Sequence, residues 1–419
     1  MTTRRQALQF LAGGAAFAAA LTVPLARVEA AAKDALTPVK LPPPISSAER
    51  LGRIARARTL MQRNGIGAVI VESGSSLDYL TGVRWGRSER LTAAVIPAHG
   101  DPIIVTPFFE RPSVAESLAI PADFRTWNED EDPLKLVADF LRERGVAGEP
   151  VGFEETDRYF IVDRLQHQLP GMKTVSANPV VRALRMMKSP AELALMQVAN
   201  DITLRAMRHA GEHARAGMSP DDYGAAIDAA TRTLGGSPEF SLVLIDEASA
   251  LPHGSKKPQV TRRGSTILFD CGCAVHGYQS DISRTFVFGA APTAEQRKVW
   301  NQVHEGQQIA IRAAKLGATA GSVDDAVRAA YSSWGYGPGY KLPGLSHRTG
   351  HGIGMDGHEP AYLVHGDMTP LAPGMCFSDE PGIYIPGKFG IRLEDCWHVT
   401  ETGPKFFSEP PPSIDQPFG

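Results

Sequence analysis

Short apolar runs alternate with longer amphipathic stretches through the first 180 residues. The first amphipathic stretch begins at Ser46, with Glu49 three residues later as a capping box, and Gly65 follows its last turn. The apolar runs between such stretches have the length and β-branched content of strands. The pattern predicts strands over 66–71, 91–96, 103–106 and 151–153, and helices over 46–64, 132–144 and 157–168. We therefore predict an α/β domain over residues 46–180.

The pattern changes over residues 189–419, where a pair of helices followed by strands occurs twice. Hydroxyl residues that suit helix N-caps mark four helix starts, at Ser189, Ser219, Thr293 and Ser322. Predicted strands cover 266–270, 283–288, 375–380 and 390–399. Helices packed on one face of a largely antiparallel sheet would satisfy this pattern, so we predict an α+β domain over 189–419.

Length and charge narrow the range of functions. A chain of 419 residues exceeds what one hydrophobic core usually serves, which agrees with two domains. The net charge is −3 and no long run has a single sign, so we expect neither nucleic acid nor, once an export signal is removed, a membrane as a partner.

The first 32 residues have the layout of an export signal. Arg4 and Arg5 precede an apolar stretch over 7–23, and three alanines at 30–32 supply a cleavage site. The paired arginines indicate the twin-arginine route, although Ala7 stands where a large apolar residue is usual. An uncleaved signal anchor is the alternative, and the Ala- and Gly-rich composition disfavours it. We expect a periplasmic or secreted protein.

The four cysteines, Cys271, Cys273, Cys376 and Cys396, all fall within predicted strands of the second domain. Small buried hydrophobic residues are therefore the favoured interpretation, over a disulfide framework.

Five chemically distinctive residues stand on or beside apolar strands of the second domain: Asp270, Asp281, His351, Glu380 and Glu394. Each alone has an ordinary interpretation as a cap or a turn residue. Four carboxylates and one imidazole buried together, however, would be very costly without cations. An oxygen-rich set with one imidazole suits divalent ions such as Mn²⁺, Co²⁺, Fe²⁺ or Zn²⁺.

The segments around these residues resemble the pita-bread metallopeptidase superfamily, in its proline-specific branch of Xaa-Pro aminopeptidases and Xaa-Pro dipeptidases. The resemblance rests on Asp-x-Gly at 270–272, Ser-Asp-Ile-x-Arg-Thr at 280–285, Gly-His-Gly-Ile-Gly at 350–354, Glu-Pro-Gly-Ile-Tyr at 380–384 and Gly-Ile-Arg-Leu-Glu-Asp at 390–395. It covers residues 189–402, and Tyr-Leu-Thr-Gly at 79–82 resembles the creatinase-type N-terminal domain of the same branch. It implies a creatinase-like α/β domain before an α+β pita-bread catalytic domain, and a homodimer.

The resemblance also implies two metal ions, with Mn²⁺ as the expected ion. Asp270 would bind one ion, His351 and Glu380 the other, and Asp281 and Glu394 would bridge both. A metal-bridged hydroxide would attack the Xaa-Pro bond, with Glu380 as the proton carrier. His358 and His347 would contact the substrate and the tetrahedral intermediate, and the matching positions add His253 and Arg392 as substrate-binding residues.

Three other activities occur on this scaffold. They are hydrolysis of a small non-peptide amide or amidine, as in ectoine hydrolase or creatinase, a sulfonium lyase, and non-enzymatic binding. Binding proteins and creatinase tend to lack the metal ligands, and all five are present here. A peptide with proline in second position is therefore the expected substrate.

Substrate length depends on a departure from the family pattern. Many prolidases have an arginine after the His-Glu-x-Pro element that binds the substrate carboxylate, whereas Ala361 and Tyr362 follow Pro360 here. The remaining cations considered are Arg392, expected to serve the metal carboxylates, and Arg84 or Arg87 in a loop that reaches a neighbouring subunit in related dimers. We therefore expect peptides longer than two residues to be tolerated.

Overall fold

The computed structural model describes residues 36–419, and the predicted export signal over residues 1–32 lies outside them. Within the described part of the chain, none of the helices combines the length and the apolar character needed to cross a bilayer.

A six-stranded mixed sheet forms the first half of the described chain. Its strands are β1 (Ala68–Glu72), β2 (Ala93–Pro97), β3 (Ile103–Pro107), β4 (Asp123–Trp127), β5 (Val151–Phe153) and β6 (Thr174–Ser176), in the order β4-β3-β2-β1-β5-β6. The helices are α1 (Ser47–Asn64), α2 (Ser75–Thr81), α3 (Arg111–Ser117), α4 (Pro133–Glu143), α5 (Tyr159–Gln168) and α6 (Val181–Arg185). Apolar residues of β1–β3 and of α4 share one buried core, so the alternation of apolar runs correctly predicted an α/β domain.

The second half contains three antiparallel sheets and four longer helices. The helices are α7 (Pro190–Glu212), α8 (Pro220–Leu234), α9 (Ala294–Ala313) and α10 (Ala320–Ser333). The strands are β7 (Ser237–Ile245), β8 (Thr266–Val275), β9 (Tyr278–Gln279), β10 (Ile282–Val287), β11 (Gly350–Gly352), β12 (Glu359–Leu363), β13 (Cys376–Asp379), β14 (Gly382–Ile385), β15 (Phe389–Arg392), β16 (Asp395–Thr400) and β17 (Gly403–Phe406). One sheet has the order β10-β8-β7 with β9 on β8, another β12-β11-β13-β16-β17, and β14 pairs with β15. The α+β prediction is confirmed.

Helix caps explain three of the four predicted helix starts. The side chains of Ser189, Ser219 and Thr293 each accept a hydrogen bond from the backbone N–H three residues later, and the side chain of that later residue accepts one from the N-cap backbone N–H. The fourth was placed too late, because α10 is capped at Thr319. The Ser322 hydroxyl donates to the Thr319 carbonyl at 2.6 Å from inside the first turn.

The predicted strand over 390–399 is two strands in different sheets. β15 ends at Arg392 and pairs with β14, and β16 begins at Asp395 and pairs with β13. Between them, Glu394 forms an isolated bridge with Ser283 of β10, so the chain changes sheet at this carboxylate. Periodicity alone did not reveal the break, because residues on both sides of it are buried.

The four cysteines are buried and none forms a disulfide, as expected. The strand β7 was not predicted, because Pro238 and Glu239 interrupt its apolar pattern at a bulge against β8.

Candidate metal centre

The five predicted ligands converge on one cavity of about 400 Å³. Asp270 lies in β8, Asp281 between β9 and β10, His351 in β11, Glu380 directly after β13, and Glu394 between β15 and β16. Each therefore comes from a strand or a strand end, where the backbone is fixed by pairing on one or both sides.

Strand pairing brings the carboxylates together. β8 and β10 are antiparallel, with Asp270 opposite Ser283, and Ser283 exchanges backbone hydrogen bonds of 3.2 and 3.0 Å with Glu394. The Ser283 hydroxyl also donates to Glu394 Oε2 at 2.7 Å. Two segments that are distant along the chain thus place their carboxylates side by side.

The ligand atoms form overlapping groups within which all atoms lie no more than 4.8 Å apart. One group is Asp270, Asp281 and Glu394, and another is His351, Glu380 and Glu394. Glu394 belongs to both groups, so it would be shared if each group held one ion. A third group joins Asp281 and His351 to His358.

Hydrogen bonding leaves part of this cluster unsatisfied. Asp270 Oδ1, Asp281 Oδ1 and Glu394 Oε1 are buried, and no group in the described part of the chain bonds to them. Unpaired buried carboxylate oxygens are costly, and oxygen ligands are what hard divalent cations require. The residues present therefore fit a pair of divalent ions.

Burial and crowding shift the proton affinities of the cluster. Without a cation, burial raises the pKa of Glu380 to about 8, although the attraction of Arg392 opposes it. Burial raises the pKa of Asp281 well above its usual range, and repulsion from Glu394 is the next largest cause. Burial raises the pKa of Glu394 in the same way, and repulsion from Glu380 is the next largest cause. Burial lowers the pKa of His351 to about 3, and the electrostatic effect of His358 is the next largest cause. The His351 imidazole is therefore neutral and free to bind a cation.

Arg392 is engaged by the metal carboxylates and their neighbours. Its Nη2 forms an ion pair with Asp270 Oδ2, and its Nε donates to the Ser283 hydroxyl at 2.9 Å. Its Nη1 lies 3.3 Å from both the Tyr384 hydroxyl and the Pro252 carbonyl. These contacts suit the structural role expected for it, and its predicted contact with substrate stays a prediction.

His347 is held by two hydrogen bonds. Its Nδ1 lies 2.8 Å from the Arg348 carbonyl and its Nε2 lies 2.6 Å from the Tyr384 hydroxyl. Because the Arg348 carbonyl can only accept, His347 Nδ1 carries the proton and donates to it, and Nε2 of the neutral ring accepts from the Tyr384 hydroxyl. Burial lowers the pKa of His347 to about 3, and the positive charge of Arg392 is the next largest cause. His347 Nδ1 is also 3.8 Å from Glu380 Oε2, so the imidazole lies against the predicted proton carrier.

His358 and His253 have open ring nitrogens. The His358 ring stacks on His351 with centroids 3.8 Å apart, and within the described residues its nitrogens have no hydrogen-bond partner. His253 also lines the cavity and has no partner among residues 36–419. Both can meet a substrate without first breaking a contact.

Sequence reasoning missed one residue beside this cavity and several that line it. Tyr384, which bonds to His347 and Arg392, lies in the quoted Glu-Pro-Gly-Ile-Tyr run. Arg348, which lines the cavity, lies between the two predicted histidines His347 and His351. Phe240 and Leu242 come from β7, the strand that was not predicted. The motif residues around Tyr384 and Arg348 contained the signal, whereas β7 gave none.

Comparison with known proteins agrees with this arrangement. Residues 194–401 match metallopeptidase family M24, and residues 53–187 match the creatinase/prolidase N-terminal domain. The Xaa-Pro dipeptidase of Lactobacillus helveticus is 32% identical over 345 residues, which cover 80% of this chain and 90% of that protein. The chain belongs to metallopeptidase family M24.

Solved structures of this family extend the match to nearly their whole length. The dipeptidase PepE of Mycobacterium ulcerans is 32% identical with a TM-score of 0.80, covering 88% of this chain and 98% of that one. The X-Pro aminopeptidase of Thermotoga maritima is 25% identical with a TM-score of 0.76, covering 86% and 98%. The predicted combination of a creatinase-like domain with a pita-bread catalytic domain is confirmed, and the protein is a metallopeptidase. The predicted boundaries at 46–180 and 189–419 stay predictions.

Proposed function

We propose that this M24 metallopeptidase uses two divalent cations, Mn²⁺ foremost, to hydrolyse the bond between an N-terminal residue and a following proline. The observation that carries the proposal is the pair of ligand groups sharing Glu394, with three buried carboxylate oxygens left unpaired. The names of relatives point the same way, since both an Xaa-Pro dipeptidase and an X-Pro aminopeptidase are among them.

Two cations held by these five ligands would act as Lewis acids on the scissile carbonyl and would acidify water. Glu380 accepts a proton from the attacking water at its carboxylate and passes it to the proline nitrogen as that bond breaks.

The histidines have separate roles in this proposal. His358, with open nitrogens beside His351, donates a hydrogen bond to the carbonyl oxygen as negative charge develops there. His253, which lines the same cavity, also contacts the substrate. His347 orients Glu380 and, through Tyr384, is coupled to Arg392.

Hydrolysis of Xaa-Pro and Xaa-Ala peptides by the Mn²⁺-loaded protein tests the specificity. We expect cleavage of the proline peptides and little of the alanine peptides. A protein that binds two metal equivalents and cleaves neither would instead direct attention to the small-amide hydrolase alternative.

We further propose that the protein is exported by the twin-arginine route and acts as a homodimer in the periplasm. The support is the Arg4-Arg5 pair and a metal site better filled before translocation. Replacing both arginines by lysine should retain the precursor in the cytoplasm, and normal periplasmic recovery would contradict the route. Light scattering of the mature protein tests the dimer.

A further inference from the structure

The geometry of a dipeptide limits where its carboxylate can bind. In an Xaa-Pro dipeptide the terminal carboxyl carbon is three covalent bonds from the scissile carbonyl carbon, so the two lie within about 4 Å. A cation that recognises this carboxylate must therefore line the same cavity as the metal ligands. This argument rests on the proposed function, because it takes the scissile bond to lie at the metal centre.

Two arginines line that cavity, Arg348 and Arg392. Arg392 is already bonded to Asp270, Ser283 and Tyr384. Binding a substrate carboxylate there would compete with a metal ligand. Arg348 is different, because within residues 36–419 its guanidinium makes neither an ion pair nor a hydrogen bond.

The Arg348 guanidinium is nevertheless held in place. It lies over the Tyr362 ring, with Cζ 4.3 Å from the ring centroid, and His351 is paired with Tyr362 across β11 and β12. A guanidinium stacked on an aromatic ring keeps its N–H edge free for a planar partner such as a carboxylate. Arg348 and His358 line the same cavity as the predicted metal ligands, so the charge of Arg348 lies in the reacting region.

The other cations suggested by the sequence are less suitable within one chain. Arg84 Nε is 3.2 Å from Asp78 Oδ2, and Arg87 Nε donates to the Ser73 carbonyl at 2.9 Å. Arg87 lines a separate cavity of about 500 Å³, which has only His358 in common with the metal cavity.

We propose that Arg348 binds the C-terminal carboxylate of the substrate and makes the protein selective for Xaa-Pro dipeptides. In a tripeptide the carboxylate is displaced by one residue, roughly 3.5 Å, and misses the guanidinium edge. Arg348 thereby takes the part of the arginine that is missing after Pro360. This reverses the expectation that longer peptides are tolerated, which omitted Arg348 from the available cations.

The test compares Ala-Pro, its C-terminal amide and Ala-Pro-Ala on the Mn²⁺-loaded protein, by kcat/KM. The wild-type protein should prefer Ala-Pro over the amide by roughly 10- to 100-fold, as expected for a hydrogen-bonded charge pair. Arg348→Met, which keeps the length of the apolar stem, should bring this ratio close to one, mainly through a higher KM. Arg348→Lys should retain part of the preference, because charge remains but the planar fork is lost.

Arg84→Met is the matched control and should leave the ratio unchanged. Should Arg348→Met fold poorly, judged by metal content and circular dichroism, Arg348→Gln carries the same test. This proposal is overturned if a folded, uncharged Arg348 variant keeps the wild-type ratio of kcat/KM for Ala-Pro over the amide. It is also overturned if only Arg84→Met reduces that ratio. Either outcome leaves the proposed function intact. If the wild-type protein cleaves none of the three substrates, the proposed function itself fails.

Discussion

Buried carboxylates occur in two adjoining regions of this protein, with opposite consequences. In the first, here called the Glu359 cluster, Glu359 Oε1 lies 2.5 Å from Lys188 Nζ and Oε2 lies 2.6 Å from Arg185 Nη2. Each oxygen therefore has its own cation. In the metal cavity there are four carboxylates, and among the described arginines and lysines only Arg392 forms ion pairs with any of them, namely with Asp270 and Glu394.

The difference shows how burial of the same chemical group can be structural or functional. Glu359 follows His358 directly in the sequence, yet its charge is neutralised by Arg185 of α6 and by Lys188, which lies between α6 and α7. The metal cavity has an excess of negative charge that protein cations do not balance. A local shortfall of cations, rather than burial itself, distinguishes the metal centre from the ion-pair cluster.

The largest expected effect comes from the shared ligand. Glu394→Gln removes a charge that belongs to both ligand groups, so metal content should fall below two equivalents and kcat/KM should fall roughly 1,000-fold or more. Elemental analysis and peptide hydrolysis measure the two effects. The control is Glu401→Gln, at an exposed position seven residues later in the sequence. Full metal content in Glu394→Gln would contradict the prediction that Glu394 is a metal ligand.

The Glu359 cluster should respond in the opposite manner. Glu359→Gln leaves the nearly buried Lys188 without its partner, so the free energy of unfolding should fall by about 3–5 kcal/mol while two metal equivalents remain bound. Denaturant unfolding and elemental analysis provide the measurements. Glu305→Gln breaks an exposed pair with Arg312 and should cost less than about 1 kcal/mol. Loss of metal from Glu359→Gln would show that the Glu359 cluster is also needed for metal binding, which contradicts the proposed difference between the two regions.

A variant that acts on turnover alone sharpens the comparison. His358→Ala should keep both metals and lose roughly 3–4 kcal/mol of transition-state stabilisation, seen as a lower kcat. His365→Ala is the matched control, because His365 is exposed and pairs with Asp325. A near wild-type kcat for His358→Ala would rule out its role as a donor to the carbonyl oxygen.

Metal removal should give the smallest of these effects when it is counted for each ion. A divalent cation present at 100 times its dissociation constant should stabilise the folded protein by about 2.7 kcal/mol per site, because it binds the folded state preferentially. Thermal unfolding with a chelator, and again after Mn²⁺ is restored, measures this difference. In Glu394→Gln the difference should shrink, whereas in Glu359→Gln it should persist. An identical response in both variants would argue against the assigned bridging role.

The candidate site was more predictable than its surroundings. Asp270, Asp281, His351, Glu380 and Glu394 lie in short motifs whose order and spacing could be recognised directly, and the fold brings all five together. The break at Glu394 and the strand β7 were not predictable from periodicity. In the first case buried residues continue across a change of sheet, and in the second a bulge disrupts the alternation.

By itself, the sequence determined the class of fold, the two-part organisation and the set of candidate ligands, because these depend on local patterning and on residue types at fixed spacing. Tertiary structure decided which charges are left unbalanced. Arg392 and Arg348 are both arginines within motif segments, but one is bonded to Asp270, whereas the other is stacked on Tyr362 and its N–H groups bond to no other described residue. Charge balance depends on which side chains meet across sheets, and that is fixed only when distant strands pack together.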